Sequence, residues 1–124
     1  MKRAGRDVYL TGAVRDRDRL ARLYAVADAL VHGSGAETYG LAVAEAKLSG
    51  LSVIVPDSGG AADMAPCGSS FVYATGDAAA CASAILRALR NDARRTGAKP
   101  AISTAEEHFG ALFALYRQLI DRAI

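Results

Sequence analysis

The sequence lacks tryptophan, contains only two cysteines and has a net charge of only +2. With no tryptophan and abundant alanine and glycine, we expect a core of small and aliphatic side chains. Cys67 and Cys81 form no CxxC pair and have no histidine at a zinc-site spacing, so we expect two reduced thiols and no metal site. So small a net charge does not indicate nucleic acid or an anionic membrane as a partner.

Long apolar runs are also absent. No stretch approaches the ~20 apolar residues of a transmembrane helix, and residues 1–3 are not followed by the apolar run of a signal peptide. These absences favour a cytoplasmic protein, at most peripheral at the inner face of the membrane. The 124 residues, of which 52% are apolar, suit a single domain spanning residues 1–124.

Short apolar runs alternate with stretches of helical periodicity. Strands are predicted at 7–10, 29–32, 52–55 and 70–73, and helices at 18–27, 39–49, 77–91 and 103–123. The runs 29–32 and 52–55 are typical of buried parallel strands. This alternation predicts an α/β domain with a parallel, Rossmann-like sheet.

Helix ends are marked by specific residues. Asp16 or Asp18 is expected to cap the first helix, Asp77 the third, and residues 103–106 (STAE) form a predicted capping box for the last. Gly50 is expected to end the helix 39–49.

Two of the predicted helices carry apolar residues on one side. In the helix 39–49, Leu41, Ala44 and Leu48 share one side. In the last helix one apolar stripe is typical of core packing, with an exposed docking face as the alternative; it comprises Phe109, Leu112, Phe113, Tyr116, Leu119 and Ile120.

The stretch between His32 and Gly60 carries the chemistry. Glu37 follows a strand at its carboxyl end, where parallel α/β sheets bind ligands. The next helix opens near Gly40, and its first amides form a potential anion site. Glu45 lies about two turns further on. This pattern suits a ligand with a central diphosphate and hydroxyl-rich groups at both ends; the alternative is one surface glutamate and one that pairs with a lysine.

The run from Glu37 to Ala46 resembles the E-x7-E motif of retaining GT-B glycosyltransferases of the GT4 family, the glycosyl transferases group 1. Residues 8–14 resemble its V-x-F-x-G-x-V segment and residues 20–29 its L-x-x-L-Y-x-x-A-D-A run. Residues 49–55 resemble G-x-P-V-V, with Ser52 where proline is usual, and Gly59-Gly60 falls on its glycine pair. The resemblance covers residues 7–92, and the last helix is similar to the family's C-terminal helix.

The resemblance implies a partial GT-B C-terminal domain that binds a UDP- or GDP-sugar as substrate, without a metal or cofactor. Glu37 would contact the sugar as the catalytic residue, the amides of Gly40 and Leu41 the distal phosphate, and Glu45 the ribose. The backbone near Val14 would lie close to the base. The donor-binding set that the resemblance implies is Val14, Glu37, Thr38, Tyr39, Gly40, Leu41 and Glu45.

Two parts of the family's pattern are missing from this sequence. The first strands and helices of the donor domain would precede residue 7, together with an Arg…Lys pair for the diphosphate; Arg15, Arg17 and Arg19 are the substitutes available. The acceptor-binding domain is also missing, so the expected partner is that domain in cis or in trans, and the chain alone is expected to be incomplete. The alternative is a non-catalytic interaction module that self-associates through an exposed apolar edge. A further alternative is a small α/β binding protein unrelated to sugar transfer.

The remaining motifs support simpler interpretations. Gly33-Ser34-Gly35 lacks the third glycine of a dinucleotide fingerprint. His32 is expected to be a strand-end residue with a satisfied ring, with a catalytic base as the alternative. Asp57 and Asp63 are expected to act as caps. Residues 87–99 are basic without interleaved aromatics, which argues against nucleic acid as a partner.

Overall fold

The computed structural model describes residues 2–3, 7–65, 70–91 and 104–123. It has the predicted α/β architecture, with strands and helices alternating along most of the chain. The elements are β1 (Lys2–Arg3), β2 (Tyr9–Leu10), α1 (Arg17–Val26), β3 (Ala29–Val31), α2 (Leu41–Leu48), β4 (Ser52–Pro56), α3 (Gly60–Asp63), β5 (Ser70–Tyr73), α4 (Ala78–Arg90) and α5 (Ala105–Ala123). The predictions for residues 92–103 and for Cys67 lie outside the described residues.

Three strands form the parallel sheet, in the order β3-β4-β5. Leu30 lies opposite Val53, and Ile54 lies opposite Phe71. The predicted strand at 7–10 is present as β2, but it pairs antiparallel with β1 and not with the parallel sheet. The sheet is therefore built from three of the four strands that the sequence predicts.

Strand β4 is buried on both faces, as its continuous apolar sequence predicts. Because successive side chains of a strand point to opposite faces, β4 contributes to two separate core clusters. Val53 and Val55 pack with Val43 and Ala46 of α2, whereas Ile54 packs with Tyr73 and with Ala84 and Ala88 of α4. The described core consists of small and aliphatic side chains apart from Tyr73, which confirms that prediction.

The predictions for the helix ends are largely correct. The Asp16 carboxylate accepts hydrogen bonds from the amides of Asp18 and Arg19 and caps α1. Asp77 caps α4 in the same way. Gly50 follows the C-cap of α2 with φ +80°, the left-handed conformation expected of a C′ glycine.

The capping box of α5 is displaced by one residue from its predicted position. The Thr104 hydroxyl accepts from the Glu107 amide, and the Glu107 carboxylate accepts from the Thr104 amide. Because α5 begins at Ala105, Thr104 is the N-cap residue and Glu107 is the third residue of the helix. These are the two positions that form a capping box.

The apolar stripe of α5 is exposed, so the prediction of core packing is wrong for its described side chains. The exposure fits the alternative of a docking face, which stays a prediction. Phe109, Phe113, Tyr116 and Ile120 are each more than half exposed, and Leu112 is partly buried. The reason is that, within the described parts of the chain, no other element packs extensively against α5.

The side of α2 that carries the predicted apolar set Leu41, Ala44 and Leu48 is buried only at Ala44. Leu41 and Leu48 are about two-thirds exposed, while Val43, Ala46 and Lys47 are buried with Ala44. Residues that are two positions apart in the sequence, such as Leu41 and Val43, differ by about 200° in direction around the helix axis. The side that contacts β4 is therefore nearly opposite the side that carries the two leucines.

The prediction that β3 is buried is also wrong. Val31 is 46% exposed, and the other two residues of β3 are only partly buried. Within the described part of the chain, β3 pairs with β4 alone and forms the edge of the sheet. An edge strand has a neighbouring strand on one side only, so its side chains are less buried. The apolar sequence of β3 does not distinguish it from a central strand.

Candidate functional site at the carboxyl ends of the strands

The loops that follow β3 and β4 pack together backbone against backbone. The Gly60 amide donates to the Glu37 carbonyl across 2.6 Å. Gly59 has φ +78°, and a Cβ there would lie 2.6 Å from the Gly35 carbonyl oxygen. A Cβ on Gly60 would collide with the backbone of Thr38. The glycine pair is therefore required for the close approach that fixes the main chain around Glu37.

Helix α2 begins two residues later than predicted, at Leu41, with Gly40 as its N-cap at φ +82°. A Cβ on Gly40 would lie 3.2 Å from Ala61 Cα, so this loop also packs tightly against α3. The first intrahelical bond runs from the Ala44 amide to the Gly40 carbonyl. The three amides before it have no side-chain cap, which is the arrangement that binds anions at helix N-termini.

Glu37 lies next to His32. Their side chains are 33% and 14% exposed, and Glu37 Oε2 is 3.9 Å from His32 Nε2. The backbone of His32 is held on both sides, by its amide to the Ile54 carbonyl at 2.8 Å and by the Tyr73 hydroxyl to its own carbonyl at 2.9 Å. His32 Nε2 is buried and makes no hydrogen bond within the described structure, so the expectation of a satisfied ring is wrong.

Glu45 has a different set of neighbours. The Tyr24 hydroxyl donates to Glu45 Oε2 at 3.3 Å. The pKa of Tyr24 is raised above its ordinary value. Partial burial of the hydroxyl is the largest cause, and the negative charge of Glu45 and its hydrogen bond with Tyr24 add to it. The two side chains line an open cavity of about 260 Å³ between α1 and α2, whose lining residues are Arg17, Leu20, Ala21, Tyr24, Glu45, Leu48 and Ser49.

The two carboxylates therefore have different neighbours, His32 for Glu37 and Tyr24 for Glu45. Glu37 belongs to the loop before α2, and Glu45 faces α1 from within α2. Of the three arginines proposed for the diphosphate, Arg17 lines the Glu45 cavity, and Arg15 and Arg19 are exposed. Val14 is half-buried between β2 and α1. Arg17 and Glu45 line the same cavity, and among the described residues no contact joins Arg17 to Glu37.

Comparison with known proteins identifies the family. The family model for glycosyl transferases group 1 matches residues 1–91 of the 124. The chain belongs to this family. The match includes Glu37, Glu45 and the glycine pair, and it ends before α5. A search of curated proteins finds no match to the chain.

A polar network missed by the sequence interpretation lies beside the Glu37 loop of this glycosyltransferase domain. Asp57 Oδ1 accepts from both the amide (2.9 Å) and the hydroxyl (2.6 Å) of Thr75. Because that hydroxyl uses its single proton on Asp57, the Ser58 hydroxyl is the donor in the 2.8 Å contact with Thr75. The hydrogen bond from the Thr75 hydroxyl, followed by the one from the Thr75 amide, holds the pKa of the Asp57 carboxyl below its ordinary value.

Asp57 therefore joins the loops after β4 and β5, and its expected role as a helix cap is wrong. Gly35 packs against the same network, since a Cβ there would lie 2.8 Å from Ser58 Oγ and 2.9 Å from Thr75 Cγ2. The sequence contains a usable signal for this contact. An aspartate and a threonine each follow a strand, and parallel strands end at one edge of a sheet.

A second feature missed from the sequence is Lys47, which is only 4% exposed. Its ammonium group donates to the carbonyls of Met64 and Ala65 at the end of α3. The contact ties α2 to the segment that carries the glycine pair. A buried charge of this kind is tolerated because its protons are hydrogen-bonded.

The part of the chain that the structure describes contains no group of three or more His, Cys, Asp or Glu side chains placed to hold a metal ion. None of the described helices combines the length and the apolar character needed to cross a membrane.

Proposed function

We propose that this chain binds the donor of a group 1 glycosyltransferase, a UDP- or GDP-sugar, at the carboxyl ends of β3 and β4. The observation that carries the proposal is the position of Glu37 immediately before the uncapped amides of α2. A carboxylate next to an anion site suits a ligand whose hydroxyl groups follow directly on a phosphate. The family match supports the choice of a nucleotide sugar as that ligand.

The start of α2 provides the phosphate contacts in this proposal. The amides of Leu41, Ala42 and Val43 point out of the first turn, and the helix dipole favours negative charge there. Gly40, the N-cap at φ +82°, sets the backbone direction from which these amides begin. Thr38 and Tyr39, both exposed in the loop, border the same position. No metal is required for this mode of binding, because backbone amides neutralise part of the diphosphate charge.

Glu37 and Glu45 hold the two ends of the donor. Glu37 accepts hydrogen bonds from the sugar hydroxyls and acts as the catalytic residue. Glu45 accepts from the ribose, in the cavity that it shares with Tyr24 and Arg17. The base extends from there toward the backbone near Val14. A hydrogen bond to a charged group contributes about 1.5–3 kcal/mol, so each carboxylate has a measurable effect on affinity.

Transfer with retention of configuration, as in the GT4 family, requires departure of the diphosphate, which helix amides stabilise electrostatically. We propose that the acceptor site and a cationic pair for the diphosphate come from a further domain, in cis or in trans. Of the described basic side chains, only Arg17 lines the cavity of Glu45. Donor binding by this chain alone is therefore expected to be weak.

Calorimetric titration of UDP-glucose and GDP-mannose tests the proposal. The wild type is expected to bind at least one of them, Glu45→Ala to bind it about tenfold more weakly, and Glu106→Ala to match the wild type because Glu106 is exposed in α5. The proposal is wrong if neither nucleotide sugar binds, or if Glu45→Ala and the wild type respond identically.

The exposed stripe of α5 favours a second candidate function, an interaction module that self-associates. Phe109 and Phe113 stack with ring centroids 6.4 Å apart, and both are more than half exposed. Sedimentation equilibrium over a wide concentration range tests it. A dimer that Phe113→Glu converts to a monomer supports this candidate, and a monomeric wild type at high concentration excludes it.

A further inference from the structure

We infer that His32 is the positioning residue for the Glu37 carboxylate. The role rests on the proposed function only in that Glu37 is taken to hold the donor sugar. Three observations carry it: a buried ring nitrogen with no hydrogen-bond partner within the described structure, a carboxylate oxygen 3.9 Å away, and a histidine backbone held from both sides.

The buried His32 Nε2 atom needs a hydrogen-bond partner, and Glu37 is the candidate. A buried polar nitrogen that forms no hydrogen bond is energetically costly, and such groups in native proteins are nearly always paired. The Glu37 carboxylate is the group that the structure places beside it. The separation exceeds an ordinary N–H···O distance by about 1 Å, a gap that rotation of the terminal carboxylate can close.

His32 and Glu37 differ in how firmly the surrounding structure holds them. This difference decides which residue positions the other. His32 is fixed through its amide on Ile54 and its carbonyl under the Tyr73 hydroxyl. Among the described residues, Glu37 is held through its main-chain carbonyl by Gly60, and its side chain is one-third exposed. An Nε2–H donor engages one carboxylate oxygen and leaves the other directed to sugar hydroxyls. A more buried group with a fixed main chain that supports a more exposed one reduces the ordering cost of binding.

The ring tautomer tests this inference in the ligand-free protein. The chain has two histidines, so the loss of signals in His32→Gln assigns the imidazole resonances of His32. Long-range ¹⁵N–¹H spectra of the neutral ring are expected to show the proton on Nε2, and Glu37→Leu, which has no acceptor, is expected to weaken that preference. A neutral ring with its proton on Nδ1, or a tautomer population that Glu37→Leu does not alter, overturns the inference.

Ligand affinities supply the functional test. His32→Leu removes the donor and keeps an apolar side chain, whereas the His32→Gln amide nitrogen takes the place of Nε2. His32→Leu is expected to weaken UDP-glucose about tenfold and UDP itself less than twofold, and His32→Gln to restore most of the loss. Equal losses of affinity in His32→Leu and His32→Gln, or equal losses for UDP-glucose and UDP, would show that His32 contributes only packing. Either result overturns its role in positioning Glu37.

These measurements separate the inference from the proposed function. If the wild type binds no nucleotide sugar, the proposed function fails, and the tautomer of His32 still decides whether it donates to Glu37. If the wild type binds UDP-glucose and the His32 variants match it, the proposed function stands and the positioning role fails.

Discussion

The Gly60 amide donates a 2.6 Å hydrogen bond to the main-chain carbonyl of Glu37. The loop after β4 thereby fixes the residue that we propose contacts the donor sugar, although the two residues are distant in sequence. Gly59 packs against the same segment from the preceding position. The glycine pair is thus part of the support of Glu37, and substitutions there should affect the site without altering a ligand-binding side chain.

Gly60→Ala should disrupt this support. The added Cβ would collide with the backbone of Thr38 and lie 2.6 Å from the Tyr39 amide nitrogen, atoms that cannot move as a flexible side chain does. We expect the free energy of unfolding in urea to fall by about 1–3 kcal/mol. Gly33→Ala is the matched control, because a Cβ there meets nothing within 4 Å and should change stability little. Equal effects of the two substitutions would contradict the packing argument.

Thr75→Val should raise the pKa of Asp57. The variant removes the hydroxyl that donates to the carboxylate but keeps the amide that also donates to it. Carboxyl ¹³C titration should show a higher midpoint for Asp57 than in the wild type, while Thr11→Val, at an exposed position, should leave it unchanged. An unaltered midpoint in Thr75→Val would show that the hydroxyl does not stabilise the charged form.

The same bonds predict a pH dependence of stability. Because the pKa of Asp57 is lower in the folded protein than in the unfolded chain, its ionisation stabilises the fold at pH values above the unfolded pKa. That contribution is lost as the pH falls through the lowered folded value. The stability advantage of the wild type over Asp57→Asn should therefore shrink in acid. An advantage that is constant from neutral to strongly acidic pH would contradict the assignment.

Lys47→Met should destabilise the protein although it retains an unbranched apolar stem. The variant loses the hydrogen bonds to the Met64 and Ala65 carbonyls. Urea unfolding should show a loss of about 1–2 kcal/mol, whereas Arg22→Met, on the exposed face of α1, should change stability by less than about 0.5 kcal/mol. A Lys47→Met protein as stable as the wild type would mean that the buried ammonium group contributes no net stability.

Local patterns in the sequence predicted much of the fold. Asp16, Asp77 and Gly50 act through neighbours within a few residues, so their roles follow from the local sequence. Strand β4 was predicted correctly because five successive apolar or small residues suit burial on both faces. The order of strands and helices in turn predicts the parallel sheet.

Features set by distant contacts were not predictable in this way. The exposure of Val31 depends on which strand lies beside β3, and the inward side of α2 depends on its orientation to β4. Lys47 is buried because the carbonyls at the end of α3 lie within its reach, and no periodicity shows that. At the site, the glycine pair and Glu37 stand out in the sequence, whereas Tyr24 and Thr75 join it only through tertiary contacts.

Separate measurement of UDP-glucose and UDP affinities tests the central claim, that Glu37 contacts the sugar and Glu45 the nucleoside. Calorimetry on Glu45→Ala should show both affinities reduced by the same factor, about tenfold. Glu37→Ala should show a similar loss for UDP-glucose and no loss for UDP. If Glu37→Ala weakens UDP as much as UDP-glucose, or leaves both unchanged, the assignment of the two carboxylates to opposite ends of the donor is wrong.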